Sequence, residues 1–519
     1  MSKAAFINPV MDRRQMLLGG VALGASAGLR PAFAQSGPKR GGTLRMALGH
    51  GNTSDSYDPA TWDNGFVQAF AMTRHNYLTE VAPDGNLVPE VAEEWSASGD
   101  ARVWTFKIRQ GIEFHDGRSV RPADVAASIN YHRGPDSTSG AKPIVEEIET
   151  IETGEGMVRF TLSSGNADFP FVLSDFHLPI MPATDGEIDP ESPIGCGGYM
   201  VESYQPGVNA RLTRNPNYWK TDRAFFDAID ILSVVDPAAR QNALMSGEVD
   251  AIDRVELSTV HLLRREQGVE ILTTQGTQHF VFAMDTRTAP FDNNDVRMAL
   301  KYAVDREEMV DKILFGFGRV GNDQPVPSSD RFYAEDLEQV VYDPERAKYH
   351  LKQAGLDRLP VTLSTSEAAF AGAVDAATLY SESARPAGID LTASREPSDG
   401  YFSDVWMKDP FVASYWQGRP TADWMFTTAY AAGVPWNESY WDNARFNTLL
   451  TEARAELDET RRTEMYAEMQ RIVKNQGGTV IPMFADYVMA HSDRVALPEV
   501  VASNWSMDGF RAAERWWFA

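Results

Sequence analysis

The stretch FDAIDILSVVDPAARQNALMSGEVDAIDRV, from Phe226 to Val255, alternates two short apolar segments with one segment of helical spacing. The outer segments carry the isoleucine and valine residues typical of strands, and the middle segment begins at a proline, which favours a helix start. A strand, a helix and a second strand in this order are typical of α/β folds with parallel sheets. We therefore predict a layered α/β architecture whose sheets are at least partly parallel.

The same alternation extends in both directions from this stretch. On the N-terminal side, residues 121–133 predict a helix with Pro122 and Asp124 in its first turn. On the C-terminal side, apolar spacing predicts helices over 295–315 and 344–354, and a pair of amphipathic helices over 444–476. The sequence has no internal repeat and no low-complexity linker, so we expect its domains to be joined by short crossings.

Length and charge limit the classes of function. A chain of 519 residues exceeds what one hydrophobic core usually serves, so two or more domains are expected. The formal net charge of −25 argues against a nucleic-acid partner, because phosphate backbones are bound through clustered lysine and arginine. The chain is therefore predicted to be a globular, multidomain protein that does not bind nucleic acid.

The first 34 residues have the pattern of an export signal. Arg13 and Arg14 precede an apolar run over 16–29 that is too short to cross a bilayer as a helix. The sequence AFA, ending at Ala34, supplies the small residues that signal peptidase requires, which predicts a mature start at Gln35. This pattern resembles a twin-arginine signal, and a Sec signal with two arginines is the alternative.

Cysteine usage predicts a protein without disulfides or a lipid anchor. Cys196 is the single cysteine, so no internal disulfide can form despite an oxidising destination. Position 35 is glutamine rather than the cysteine that lipid-anchored export requires, and no later run is long and apolar enough to span a membrane. We expect the product to be free in the periplasm.

Two sequence motifs match those of enzymes, but neither lies in the structural context that the enzyme motif requires. The sequence GASAG, Gly24 to Gly28, matches the nucleophile elbow of hydrolases but lies inside the predicted signal. The sequence GFGRVG, Gly316 to Gly321, matches a dinucleotide fingerprint but follows a predicted helix instead of a strand. The histidines are scattered, with no metal-ligand spacing. The sequence therefore predicts neither a catalytic site nor a cofactor.

Six motifs occur in an order typical of one family: WTFKIRQGIEFHDGRSVRPADVAASI (104–129), PIGCGGY followed by LTRNPNYW (193–219), ALMSGEVDAI (243–252), NNDVRMALKYAVDREEMV (293–310), YDPERAKYHLKQAG (342–355) and WQGRPTADWMF (416–426). In this the chain resembles the solute-binding proteins of the dipeptide, oligopeptide and nickel import group, the periplasmic receptors of ABC transporters. The resemblance covers nearly all of the mature chain.

The resemblance implies a two-lobed periplasmic-binding-protein fold of type II, with an extra subdomain in lobe one. Its segments would be the export signal over 1–34, lobe one over 35–281 with the subdomain over about 58–185, lobe two over 282–487, and a C-terminal return to lobe one over 488–519. The implied protein is a monomer that captures a peptide or peptide-like solute by lobe closure. It delivers this solute to permease subunits in the inner membrane and catalyses no reaction.

The same resemblance implies where the ligand is bound. The family places contacts in the loop after the first strand, in the glycine loop and in the second-lobe aromatic segment, which here contain Asn52 and Tyr57; Cys196 and Gly197; and Trp416, Gln417, Arg419 and Asp423. In peptide-binding members a carboxylate of the third segment receives the ligand's ammonium, and Asp423 is the nearest candidate. Many relatives carry Asp-Pro where this chain has Thr-Ala-Asp, so Asp423 is displaced from the pattern.

Several ligand classes remain open at this point. Arg419 favours an anionic ligand such as an opine or a sugar phosphodiester, because guanidinium pairs with carboxylate and phosphate. The nickel carriers of the family keep a metal chelate as an alternative. An exported enzyme, folded around a cofactor before transport, is the least favoured alternative, because the sequence contains no cofactor motif in the required structural context.

Overall fold

The structure is a computed structural model that describes residues 38–519, which form one compact unit from Pro38 to Ala519. The predicted export signal, the cleavage site and Gln35 lie outside the described residues.

The chain contains strands throughout this range. In chain order they are β1 Thr43–Leu48, β2 Thr79–Val81, β3 Leu87–Pro89, β4 Ala92–Ala97, β5 Val103–Ile108, β6 Ile148–Gly154, β7 Met157–Leu162, β8 Ala183–Thr184, β9 Glu187–Ile188, β10 Tyr199–Gln205, β11 Asn209–Arg214, β12 Ala228–Ser233, β13 Ala251–Ile252, β14 Val269–Thr274, β15 His279–Met284, β16 Gly318–Val320, β17 Leu359–Thr365, β18 Ile389–Arg395, β19 Phe411–Trp416, β20 Thr479–Ala485, β21 Tyr487–Ser492, β22 Val495–Ala496 and β23 Trp517–Phe518.

Helices alternate with these strands. They are α1 Gly65–Arg74, α2 Pro122–Tyr131, α3 Lys142–Val145, α4 Phe169–Val172, α5 Pro237–Met245, α6 Val260–Leu263, α7 Asn294–Tyr302, α8 Arg306–Ile313, α9 Pro344–Gln353, α10 Ala373–Ala384, α11 Ala422–Ala429, α12 Ala444–Ala455, α13 Glu459–Gln476, α14 Ser506–Gly509 and α15 Ala512–Arg515.

The first large sheet has seven strands in the order β10-β11-β12-β1-β13-β21-β14. Its centre is parallel, since β1 pairs in parallel with both β12 and β13. The stretch from Phe226 to Val255 supplies β12, α5 and β13, as its alternation predicted. The partly parallel α/β arrangement is confirmed.

The second large sheet has six strands in the order β16-β20-β15-β19-β17-β18. The chain enters this sheet between Thr274 and His279 and returns to the first sheet between Ala485 and Tyr487. Two sheets joined by two short crossings define two lobes, which we call lobe one and lobe two. The residue boundaries predicted from the sequence stay predictions, because the lobes are packed into one unit.

A smaller antiparallel sheet, β4-β5-β7-β6, forms a subdomain with its own apolar core. Phe106, Phe160 and Phe169 pack edge to face inside it, with ring centroids 5.2 to 6.3 Å apart. Burying one such side chain stabilises the fold by about 2 to 3 kcal/mol. The subdomain is therefore a separately stabilised unit attached beside the first sheet.

Helix boundaries follow from capping side chains. α2 begins at Pro122, and the Asp124 carboxylate accepts a hydrogen bond from the backbone N–H of Arg121 at 2.8 Å. The single helix predicted over 295–315 is wrong, because Asp305 accepts from the backbone N–H of Glu308 and starts a second helix. Residues 295–315 therefore fold as α7 and α8, since an N-cap aspartate satisfies the free N–H groups of a new helix.

Candidate ligand-binding site

A cavity of about 100 Å³ lies between the two lobes. Its walls come from several segments of both lobes: Met72, 81–85, 171–176 and 503–515 on the side of lobe one, and Thr277, 327–331 and 418–421 on the side of lobe two. Ligand sites of binding proteins occur preferentially at such domain interfaces. The cavity is therefore our candidate ligand-binding site.

Aromatic rings form much of the lobe-one wall. Phe171, Phe176 and Trp505 line the cavity. The rings of Phe176 and Trp505 meet edge to face at 6.4 Å, and Trp505 stacks on Phe510 at 6.2 Å. These contacts fix flat apolar faces at the cavity, which are suited to covering the apolar parts of a ligand.

The lobe-two wall is a tight connection between β19 and α11. A Cβ atom on Gly418 would lie 1.8 Å from Oγ1 of Thr277, so only glycine fits at this position. Thr421 then caps α11 by accepting a hydrogen bond from the backbone N–H of Trp424 at 3.2 Å. Strand end, glycine and helix cap together hold Arg419 at the cavity wall.

Trp416 lies behind Arg419. Its indole N–H donates to Glu438 at 2.8 Å, and the same carboxylate accepts from the indole of Trp406 at 2.6 Å. Burial raises the pKa of Glu438, while both indole bonds oppose that shift. Arg419 stands over the Trp416 ring at 5.8 Å and donates to the carbonyl of Gln417 at 3.2 Å. Trp416 and Gln417 thus support Arg419 from outside the cavity lining.

Asp423 is buried and already has a cationic partner. Its carboxylate accepts from Nε of Arg454 at 3.2 Å, and the Nη2 group of Arg454 lies at 3.1 Å. Burial raises the pKa of Asp423, and Arg454 opposes that shift. The predicted role of Asp423 as the acceptor of a ligand ammonium stays a prediction, although the structure directs its carboxylate towards α12.

Asn52 and Tyr57 lie in the loop after β1, among protein partners. The backbone N–H of Asn52 donates to Asp55 at 2.8 Å. The ring of Tyr57 packs against Tyr204 at 4.9 Å and under the guanidinium of Arg74 at 4.8 Å. The cavity wall is formed by other segments, so ligand contact by Asn52 and Tyr57 also stays a prediction.

The glycine loop is packed inside the lobe-one side. Cys196 is fully buried in the subdomain core, and burial raises the pKa of its thiol to about 12. A Cβ atom on Gly197 would lie 2.5 Å from the carbonyl carbon of Arg74, so the loop requires glycine for this close approach. Neither residue is among those that form the cavity wall.

Three arginines of the cavity wall form ion pairs with protein carboxylates. Arg511 pairs with Glu90 and Glu514, and Arg515 pairs with Glu80 and Asp508. Arg331 pairs with Asp168 and Glu459. Burial raises the pKa of Asp330 to about 6. The three arginines therefore shape the cavity wall and carry little free charge toward it.

Three buried carboxylates, those of Glu80, Glu90 and Glu514, lie close enough together to suggest a metal site. The ammonium of Lys220 stands among them at 2.7, 2.6 and 3.0 Å. These carboxylates raise the pKa of Lys220 against the effect of its burial. The cluster is an ionic network that anchors the C-terminal segment.

Sequence reasoning missed Asp175, Phe176 and Trp505, which line the cavity from lobe one. The segment FVLSDFH, Phe171 to His177, mixes large rings with charged groups in the same way as the second-lobe segment. That mixture of rings and charged groups could have indicated a second binding segment. Trp505 lacks such a signal, because the segment that brings it to the cavity is more than three hundred residues away in sequence from Asp175.

None of the helices in residues 38–519 combines the length and apolar character that crossing a membrane requires.

Comparison with known proteins identifies similar chains. A sequence model described as "Bacterial extracellular solute-binding proteins, family 5 Middle" matches residues 86–464. Di/tripeptide-binding protein 2 of Pseudomonas aeruginosa (strain UCBPP-PA14) is 26% identical over 489 residues, covering 86% of this chain and 90% of that protein.

Two solved structures share the fold. HbpA2 from Haemophilus parasuis superposes with a TM-score of 0.81 at 21% identity, covering 92% of this chain and 100% of that chain. The periplasmic binding protein AgaA from A. tumefaciens R10, in complex with agropinic acid, gives a TM-score of 0.73 at 23% identity, covering 92% and 99%. The predicted two-lobed periplasmic-binding-protein fold is confirmed.

Proposed function

Because the chain belongs to the bacterial extracellular solute-binding proteins of family 5, the substrate-binding receptors of ABC importers, we propose that it captures a peptide or peptide-like solute between its lobes. The observation that carries this proposal is the cavity, whose walls come from both lobes and combine aromatic faces with Arg419. A ligand that contacts both walls binds the closed form best and therefore shifts the lobes toward closure. The permease would then recognise the closed protein.

An anionic solute is the second candidate. Arg419 lines the cavity, and its only hydrogen bond within residues 38–519 is to the Gln417 carbonyl. The similar protein AgaA was solved with agropinic acid, and a carboxylate is the group that a guanidinium binds most specifically. The three-glutamate cluster does not favour a bare metal ion, since it already holds Lys220.

Mass spectrometry of the solute that accompanies the protein tests the proposal. The protein is purified gently without added ligand, denatured, and its small-molecule fraction is analysed. A stoichiometric peptide or amino-acid derivative is the expected result. Release of a metal ion, a metal chelate or haem in stoichiometric amount would contradict it. Protein first unfolded and refolded in ligand-free buffer is the control for nonspecific carry-over.

We propose further that the chain is exported to the periplasm by the twin-arginine route, cleaved before Gln35 and active there as a monomer. Intact-mass analysis of a periplasmic extract should give a chain that starts at Gln35, without lipid. Replacing Arg13 and Arg14 by lysine should leave the protein in the cytoplasm. Normal export of that variant would instead favour the Sec route.

A further inference from the structure

We propose that Arg319 is a positioning residue for lobe closure, which fastens the two crossings between the lobes in their closed arrangement. This inference rests on the proposed function and adds to it a residue that controls the population of the closed form. Arg319 lies in β16, at the edge of the second large sheet, and binds Gly276 in the first crossing and Asp486 in the second. We call these three residues the hinge clasp.

The two crossings lie in direct backbone contact. The backbone N–H of Ala485 donates to the carbonyl of Gln278 at 2.9 Å. A Cβ atom on Gly276 would lie 1.9 Å from the carbonyl oxygen of Ala485, so only glycine allows this approach. The chain passes between the two large sheets at these crossings. A rotation of one lobe against the other therefore changes backbone torsions at this contact.

The Arg319 guanidinium reaches both crossings. One Nη group donates to the carbonyl of Gly276 at 2.7 Å, and the other donates to the carboxylate of Asp486. A planar, forked guanidinium holds two such partners in fixed directions. The backbone N–H of Asp486 also donates to the carbonyl of Phe317 at 3.1 Å. The segment from Phe317 to Arg319 thus fixes the position of both crossings relative to lobe two.

Burial makes the ion pair of the hinge clasp costly to separate. The side chains of Arg319 and Asp486 are 22% and 14% exposed. Burial lowers the pKa of Arg319 and raises the pKa of Asp486, and each charge opposes the shift of the other. Within residues 38–519, Arg319 is the one cation that forms an ion pair with Asp486. A rotation that separated them would leave two partly buried charges without partners, so the pair favours the arrangement in which it forms.

The hinge clasp is connected to the cavity through Thr277. This residue follows Gly276 in the first crossing and lines the cavity. Its Oγ1 atom lies 3.3 Å from the Oη atom of Tyr487, the first residue of β21, at hydrogen-bond distance. Gly418 of the cavity wall packs against the same hydroxyl group. A solute that contacts this wall therefore supports the same arrangement of the crossings that Arg319 holds.

Distances between two spin labels, measured by pulsed electron spin resonance, test the proposal. Cysteines replace Thr150 in the subdomain and Thr451 in α12, both of which are exposed. The subdomain meets α12 where the backbone N–H of Ala167 donates to the carbonyl of Arg454 at 2.7 Å. The distance between the labels should therefore lengthen when the lobes open. Cys196 is fully buried and should stay unlabelled.

Arg319→Met removes the charge and both hydrogen bonds and keeps an unbranched side chain. In protein refolded without ligand, we expect longer label distances for this variant than for the wild type. The small-molecule fraction released by denaturing the wild-type protein is then added to both in a dilution series. Half-maximal closure should need about tenfold more of this fraction in the variant, because its closed population is smaller.

A cycle with Asp486→Asn separates the hinge clasp from a general loss of stability. Both substitutions break the same ion pair, so the double variant should need at most about threefold more solute fraction than Arg319→Met alone. If Arg319→Met does not fold, Asp486→Asn alone should still need at least about threefold more than the wild type. Arg45→Met is the control, because Arg45 pairs with Asp250 inside lobe one at 3.0 Å, and it should close like the wild type.

The proposal is overturned if Arg319→Met closes with the same amount of solute fraction as the wild type, if the effects of the two substitutions add in full, or if Arg45→Met shifts closure by the same factor. Failure of the hinge clasp is distinct from failure of the proposed function. A wild type whose label distance shortens on loading keeps the receptor function, whatever the variants show. A wild type whose label distance stays the same on loading contradicts the closing receptor and the hinge clasp together.

Discussion

Asp423 and Arg454 form an ion pair behind the candidate site, so the charge of Asp423 is neutralised by a protein partner. Asp423 is almost fully buried, whereas about a quarter of the Arg454 side chain is exposed. The pair therefore stabilises lobe two, while Arg419 lines the cavity without an ion-pair partner in the described residues. Substituting a residue that is buried with a partner should lower the stability of the fold. Substituting a residue that lines the cavity should instead lower the affinity for the solute.

For Asp423→Asn we expect a loss of about 2 kcal/mol in the free energy of unfolding, because Arg454 loses its counter-ion in a half-buried site. Urea denaturation measures this loss. The control is Glu468→Gln in the exposed pair with Arg445, which should cost less than about 1 kcal/mol. Unchanged stability combined with lost solute binding would return Asp423 to the role of ammonium acceptor.

Lys301 is a buried lysine that should make stability depend on pH. Its ammonium donates to the carbonyls of Val473 and Lys474 at the end of α13. Burial lowers its pKa to about 7; Asp323 opposes this shift, and three nearby cations, those of Arg297, Arg306 and Lys474, add to it. Between about pH 7 and 10 the unfolded chain therefore binds more protons than the folded chain, so stability rises with pH.

Replacing Lys301 by methionine should remove that dependence. The slope of the free energy of unfolding against pH, between about pH 7.5 and 9.5, should fall by about 1.4 kcal/mol per pH unit. Urea titrations at several pH values measure the slope. An unchanged slope would contradict a depressed pKa. Lys348→Met, at a partly exposed lysine paired with Glu345, serves as the control.

At the scale of elements, α13 joins the subdomain to lobe two. Arg462 of α13 donates two hydrogen bonds to the Asp168 carboxylate just before α4, at 3.0 and 2.8 Å. Arg331 donates a third at 2.6 Å. Burial alone would lower the pKa of the Arg462 guanidinium, but the negative charge and hydrogen bonds of Asp168 have the larger effect and raise it. These bonds cross between the subdomain and lobe two, so they stabilise the closed arrangement.

Asp168→Ala should therefore favour the open form. We expect affinity for the co-purified solute to fall about tenfold, mainly through faster dissociation, because the closed population is smaller. Stopped-flow tryptophan fluorescence measures the dissociation rate. Glu459→Gln is the matched control, since Glu459 contacts Arg331 from an exposed position and leaves Asp168 in place. Equal dissociation rates for both variants would show that Asp168 does not hold the lobes together.

The elements also show how far the sequence could predict the structure. Proline and aspartate caps and apolar periodicity located α2, α9, α12 and α13, because these signals act within one helical turn. Apolar spacing alone predicted one helix across the break between α7 and α8, because that spacing continues across the cap at Asp305. Motif order identified the family and hence the two lobes.

The site was less predictable, for a physical reason. The segment containing Arg419 was identified because rings and charges lie together in sequence. Which charge is free depends on partners distant in sequence: Asp168 and Arg462 are 294 residues apart, and Arg511 and Glu90 are 421 apart. No local pattern reveals such pairs, so the lack of an ion-pair partner for Arg419 became visible only in the structure.

For the whole molecule, we predict a receptor that changes shape when it binds its solute. The described chain is one compact unit whose lobes touch around a cavity of about 100 Å³. Because a solute held between both walls must enter and leave, we expect the lobes to separate to admit it and then to close around it. Opening at the two crossings would expose both walls without unfolding either sheet.

Small-angle X-ray scattering of ligand-free and solute-loaded protein measures this change of shape. The ligand-free sample is prepared by unfolding and refolding, and the loaded sample carries the co-purified solute at saturation. We predict a smaller radius of gyration for the loaded protein, approaching the value of about 23 Å expected for a compact chain of this length. Identical scattering profiles for the two samples would contradict a receptor that captures its solute by closing two lobes.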